Sequence, residues 1–94
     1  MKYLFDHTRV VAAKDQVSCD MAGKAAILNI TSGVHYGLDP IGARIWNLIQ
    51  KPKTLREINE TILREYEVGT DRCEADVRAL LSQLAEQGLV EITT

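Results

Sequence analysis

The spacing of hydrophobic positions changes near residue 39. Before it, apolar residues fall at every second position or in short runs; after it, they return every three or four. "QVSCDM" (16–21) sets Val17, Cys19 and Met21 against polar neighbours, a period of two that predicts a half-buried strand. "AGK" (22–24) is a turn. "AAILNI" (25–30) is more continuously apolar, as suits a central strand. "TSG" (31–33) turns again, with Gly33 free to take positive φ, and "VHYGLD" (34–39) is a third strand. Short connections favour antiparallel neighbours, so the expected order is a meander with the third strand outermost. "RVVAA" (9–13) offers a further strand.

The second rhythm predicts three helices. Asp39-Pro40 opens the first, because Asp caps a helix N-terminus and Pro suits the first helical position. Ile41, Ile45, Leu48 and Ile49 form its apolar face, which Trp46 widens, and "KPK" (51–53) ends it. Thr54-Leu55-Arg56-Glu57 is a capping box that starts the second helix. Leu55, Ile58, Ile62 and Tyr66 make its stripe, and "EVGTD" (67–71) is a turn centred on Gly69. The third helix runs from about Arg72 to Gln87, with Cys73, Val77, Leu80, Leu81 and Leu84 on one face. Gly88 stands at its C-terminal cap, and "LVEI" (89–92) is a short strand or an extended tail. The fold class expected is α+β and winged helix-turn-helix-like: a three-stranded antiparallel sheet followed by three helices.

Composition narrows the function classes. Ninety-four residues, 46% apolar and 26% charged, predict one small globular domain over 1–94. No apolar run is long enough for a signal peptide or a membrane span, which points to a cytoplasmic chain with two reduced thiols. On that reading the Asn29-Ile30-Thr31 glycosylation pattern carries no weight. Cys19 and Cys73 form no metal-ligand spacing, so neither a metal nor a cofactor is expected.

Catalysis by this chain is not expected. His7 and His35 lack a convincing nucleophile in context, both cysteines read as small hydrophobes, and Glu57, Glu60 and Glu65 share a solvated face with Arg56 and Arg64. DNA binding is weakly supported. Net charge is −2, and the third helix sets Arg72 and Arg78 against Glu74, Asp76 and Glu86. Its outward Ala75, Ala79 and Ser82 are too short to read base edges.

Peptide binding remains. The strand 34–38 carries no lysine or proline, the usual guards of an open edge. Such an edge accepts an extended peptide as an added strand. Val34, Tyr36 and Leu38 share one side; His35 and Gly37 share the other. Gly37 either relieves crowding beside a helix or admits another backbone closely.

"AILNITSGVHYGLDPIGARIWNLIQKPKTLREINETILREYEV", followed by "DVRALLSQLAEQGLV", resembles the PqqD-like domains. These are the leader-recognition elements of ribosomally made, post-translationally modified peptides. The resemblance covers roughly 16–92. "YGLDPIGARIW" makes the chain most similar to the leader-binding proteins of lasso-peptide biosynthesis. It departs from the pattern at Asp39, where Asn is common, and either residue caps a helix. The resemblance implies a non-catalytic subunit that binds a precursor leader peptide. That subunit works with a separate cysteine leader peptidase and an ATP-dependent, asparagine-synthetase-like cyclase. A peptide chaperone for a radical SAM type of modifying enzyme is the alternative, with a winged-helix DNA-binding regulator behind it.

In the family the leader pairs antiparallel with the third strand and lies against the third helix. One flank of that helix carries Asp76, Gln83 and Gln87 beside Leu80; the other carries Glu74, Arg78 and Ala85 beside Leu81. The expected binding residues are Val34, His35, Tyr36, Gly37 and Leu38 on the strand and Asp76, Leu80 and Gln83 on the first flank, with Arg72 near the groove's end.

Overall fold

The computed structural model describes residues 4–14, 16–21, 24–30, 32–33 and 35–93. In chain order the elements are β1 (Arg9–Ala12), β2 (Gln16–Met21), β3 (Lys24–Asn29), β4 (His35–Leu38), α1 (Pro40–Leu48), β5 (Lys53–Thr54), α2 (Leu55–Glu65), α3 (Thr70–Glu86) and β6 (Val90–Thr93). The class is α+β, with the expected antiparallel meander β2-β3-β4 ahead of three helices. A second three-stranded antiparallel sheet is ordered β5-β1-β6. It gathers the strand suspected at 9–13, the C-terminal tail and two residues between helices.

Local chemistry explains most boundaries. The Asp39 carboxylate accepts from the Gly42 N–H at 2.7 Å and starts α1. The Thr54 hydroxyl accepts from the Glu57 N–H at 3.1 Å while the Glu57 carboxylate accepts from the Thr54 N–H at 2.9 Å, completing the capping box of α2. α3 begins two residues before the expected Arg72, because Gly69 is extended and its carbonyl accepts from the Cys73 N–H at 2.9 Å. It ends in a Schellman motif: Gly88, at φ +72, donates to Ala85 at 3.0 Å, and Leu89 donates to Leu84 at 2.9 Å. Gly33, at φ +74, sits in the turn between β3 and β4 as predicted.

The core lies where the sheets meet the helices. Ile45, Trp46 and Ile49 from α1, Leu55, Ile58 and Ile62 from α2, and Cys73, Val77, Leu81 and Leu84 from α3 are buried, with Ile27 and Val10 from the sheets. Full burial of each large aliphatic side chain stabilises the fold by about 1.5–3 kcal/mol. Asn59, absent from the predicted α2 stripe, is buried too, and its carbonyl oxygen faces the Cys73 thiol at 3.9 Å. The β2–β3–β4 register sets Ser18 level with buried Ile27 and with Tyr36. The predicted burial of Val17, Cys19 and Met21 lies outside the described residues, as does the turn at 22–23.

Candidate functional site

β4 is the outer strand of its sheet, since β3 pairs with it on one side through Ile27↔Tyr36 and Ala26↔Gly37. No described strand covers its other side. β1, the N-terminal strand that could have sealed it, is taken up by β5 and β6. α3 runs beside the free edge, and α1 closes the far end.

Between these elements lies a groove of about 290 Å³. Leu38, Ile45, Ile62 and Val77 are buried in its floor, and Ile41, Val68 and Leu80 are partly buried along its walls. Asp39 and Asp76 give the lining its two carboxylates. Arg72 meets Asp76 at 3.5 Å, but both side chains are more than two-thirds exposed, at 82% and 70%. An exposed pair of this kind is worth about 0–1 kcal/mol, so Asp76 can exchange its partner cheaply. The Tyr36 hydroxyl donates to Gln83 Oε1, joining β4 to α3 across the top of the groove.

Tyr36, Gly37, Leu38, Asp76 and Leu80 line the groove together, and Gln83 borders it through Tyr36. His35 is exposed on the same strand, and Arg72 stands one helical turn before Asp76. Val34 lies outside the described residues. A Cβ built on Gly37 meets nothing within 4 Å. Crowding therefore does not explain that glycine, and the space beside it is open. On α3, Leu80, Asp76 and Gln83 face β4, while Ser82, Ala85 and Glu86 border a different groove.

Sequence reasoning missed the groove's deeper parts. Val68 is a lone apolar residue in the turn between α2 and α3, and that isolation was its one signal. Gly42 leaves room at the start of α1: a Cβ there would press to 3.1 Å from Asp39 Oδ1 and 3.2 Å from Leu38 Cδ2. Cys73 also reaches the lining. Burial, then the nearby Glu74 and Asp76 carboxylates, push its thiol above the ordinary value. That is the reverse of what activates a cysteine nucleophile. Among the described residues no group of His, Cys, Asp and Glu could hold a metal ion, and no helix is long and apolar enough to cross a membrane.

Comparison with known proteins defines the class. The family model described as coenzyme PQQ synthesis protein D (PqqD) matches residues 24–90. The chain belongs to the PqqD family. A solved structure of TbiB1 in complex with the TbiA(beta) leader peptide is 33% identical over 86% of this chain and 94% of that one, with a TM-score of 0.79. A second, of lasso peptide synthetase B1 complexed with the leader peptide, is 21% identical over 87% and 96%, with a TM-score of 0.76, and shows the shared fold. Among curated proteins nothing matches the chain.

Proposed function

We propose that this chain binds the leader segment of a ribosomally synthesised precursor peptide in lasso-peptide biosynthesis and presents it to a cysteine leader peptidase, without doing chemistry itself. The observation that carries the reading is the free edge of β4 standing over an apolar groove with two carboxylates in its lining. The likeness to TbiB1, solved with a leader peptide, supports it. In this reading the leader adds as a strand along His35–Leu38, with Val34 extending the pairing. It sends apolar side chains between Tyr36, Leu38 and Leu80, and sets a basic group near Asp76.

Energetics assign the roles. Each main-chain hydrogen bond contributes about 0.5–1.5 kcal/mol net, and ordering the leader costs about 1–2 kcal/mol per residue. Pairing alone therefore nearly cancels, and it fixes direction and register. Affinity comes from apolar anchors at roughly 25 cal/mol per Å² buried. One aromatic and one or two aliphatic anchors bring binding to about the micromolar-to-nanomolar range.

The test is binding of a labelled leader from a precursor encoded beside this gene, followed by amide chemical shifts. Shifts confined to residues 35–38 and the 76–83 face of α3 support the reading. Absence of binding, or shifts elsewhere, sinks it. Faster cleavage of that precursor by a cysteine leader peptidase when this chain is added tests the delivery step.

A further inference from the structure

The molecule has a second free strand edge on the other side of α3. β6 is the outer strand of the sheet β5-β1-β6. Between it and α3 runs a groove of about 620 Å³, lined by Ser82, Ala85 and Glu86 of the helix and by Val90 to Thr93 of the strand. The Ala13 N–H donates to the Leu89 carbonyl at 2.9 Å, and the register continues through Val11↔Glu91 and Arg9↔Thr93. Antiparallel pairing alternates bonded and non-bonded positions. Glu91 and Thr93 therefore turn their backbone groups toward β1, and Val90 and Ile92 turn theirs to the open side. Among the described residues nothing on that side meets them.

The side chains define the occupant. Val90 is buried and Ile92 is half-buried against the core. Glu86 and Glu91 are exposed, and neither has an ion-pair partner among the described residues. The groove lining holds two carboxylates and no cation. A second copy of this chain fits poorly, because pairing β6 with β6 brings the carboxylates of both copies together, and like charges facing across strands destabilise the pair. Glu91 thus guards the edge against its own kind. The same charge favours a cationic guest.

We propose that the β6 edge is a second strand-addition site, taking an extended segment of another protein in which apolar residues alternate with lysine or arginine. It is separate from the leader site, and it stands whether or not β4 binds a leader.

The experiment uses the full chain, isotope-labelled, with a short synthetic peptide of alternating valine and lysine as the probe, and a counterpart with glutamate for lysine as control. The lysine probe is expected to shift residues 82–86 and 90–93 and to lose affinity with added salt; the glutamate probe is expected to do neither. Ile92→Pro removes an outward N–H without breaking a β1–β6 bond, and Ile92→Ala removes the same side chain but keeps the N–H. Binding at least about tenfold weaker in Ile92→Pro than in Ile92→Ala supports strand addition. If the proline variant fails to fold, the surface double variant Glu86→Lys with Glu91→Lys gives the same discrimination by charge. Equal binding by the two probes, shifts confined to residues 35–38, or a dimer whose β6 amides shift on dilution would each overturn the proposal. Leader binding at β4, read on the same samples, keeps a failure here distinct from a failure there.

Discussion

The β4 and β6 edges flank one helix and differ in how they are built. Beside β4 the helix turns Leu80 and the apolar floor beneath it toward the strand, and the groove is small and mostly greasy. Beside β6 it turns Ser82, Ala85 and Glu86, and the groove is wider and more polar. Strand edges supply similar backbone bonds everywhere, so the helix face decides what each edge prefers. On the two proposals above, the two flanks of a single amphipathic helix would serve two dissimilar peptide sites.

The largest expected effect breaks the comparison at β4. Gly37→Val adds a side chain where the chain itself has open space, so thermal stability holds. Leader affinity is expected to drop by about tenfold or more, equivalent to about 1.4 kcal/mol, while the lysine probe at β6 binds unchanged. An unaltered leader affinity would mean that the guest does not approach β4 closely. Asp76→Ala comes next. Losing a partly exposed charge contact costs about 0.2–1 kcal/mol, a few-fold in leader affinity by titration, with the fold intact. No change would remove Asp76 from the site.

Thr54→Ala changes a residue on β5, across the sheet from β6, that lines neither groove. Removing its cap costs about 1 kcal/mol of stability in denaturant melts, and neither binding event should change. The smallest effect is acid sensitivity. The Thr54 backbone N–H holds the Glu57 carboxyl below its ordinary 4.5, and Arg44 does the same for Glu65 through hydrogen bonds at 2.8 and 2.9 Å. Carboxyls depressed in the folded state stabilise it fully above their unfolded values and lose that contribution as pH falls through the folded ones. Melting temperature followed downward from pH 5 is expected to decline, and Glu57→Gln to flatten part of the slope.

Most of this architecture was legible where the signal was local. Asp39-Pro40, the Thr54–Glu57 box and Gly88 each announce a helix boundary within four residues of sequence, and each forms the contact its pattern implies. The β2-β3-β4 meander was readable for the same reason. The second sheet was not, because it pairs Arg9 with Thr54 and with Thr93 across most of the chain. Lys53–Thr54 has no strand pattern of its own and becomes a strand through β1. The strand half of the candidate site followed from alternation. Its depth depends on Val68, Gly42 and Ile62 converging from three elements, which periodicity along one element does not reveal. Asn59 was hidden because a buried amide facing a thiol looks in sequence like any polar helix residue.

The Tyr36–Gln83 link would constrain the guest proposed for β4. Side chains on one side of a strand recur at about 7 Å, and one such interval separates Tyr36 from Leu38. On the proposed pairing, a guest side chain would enter the groove between that link and the Asp39–Gly42 corner. A sequence that fits would carry one bulky tooth, with a slimmer or hydrogen-bonding residue two places along to ride over the tyrosine. Spacing, more than total greasiness, would sort acceptable peptides from the rest.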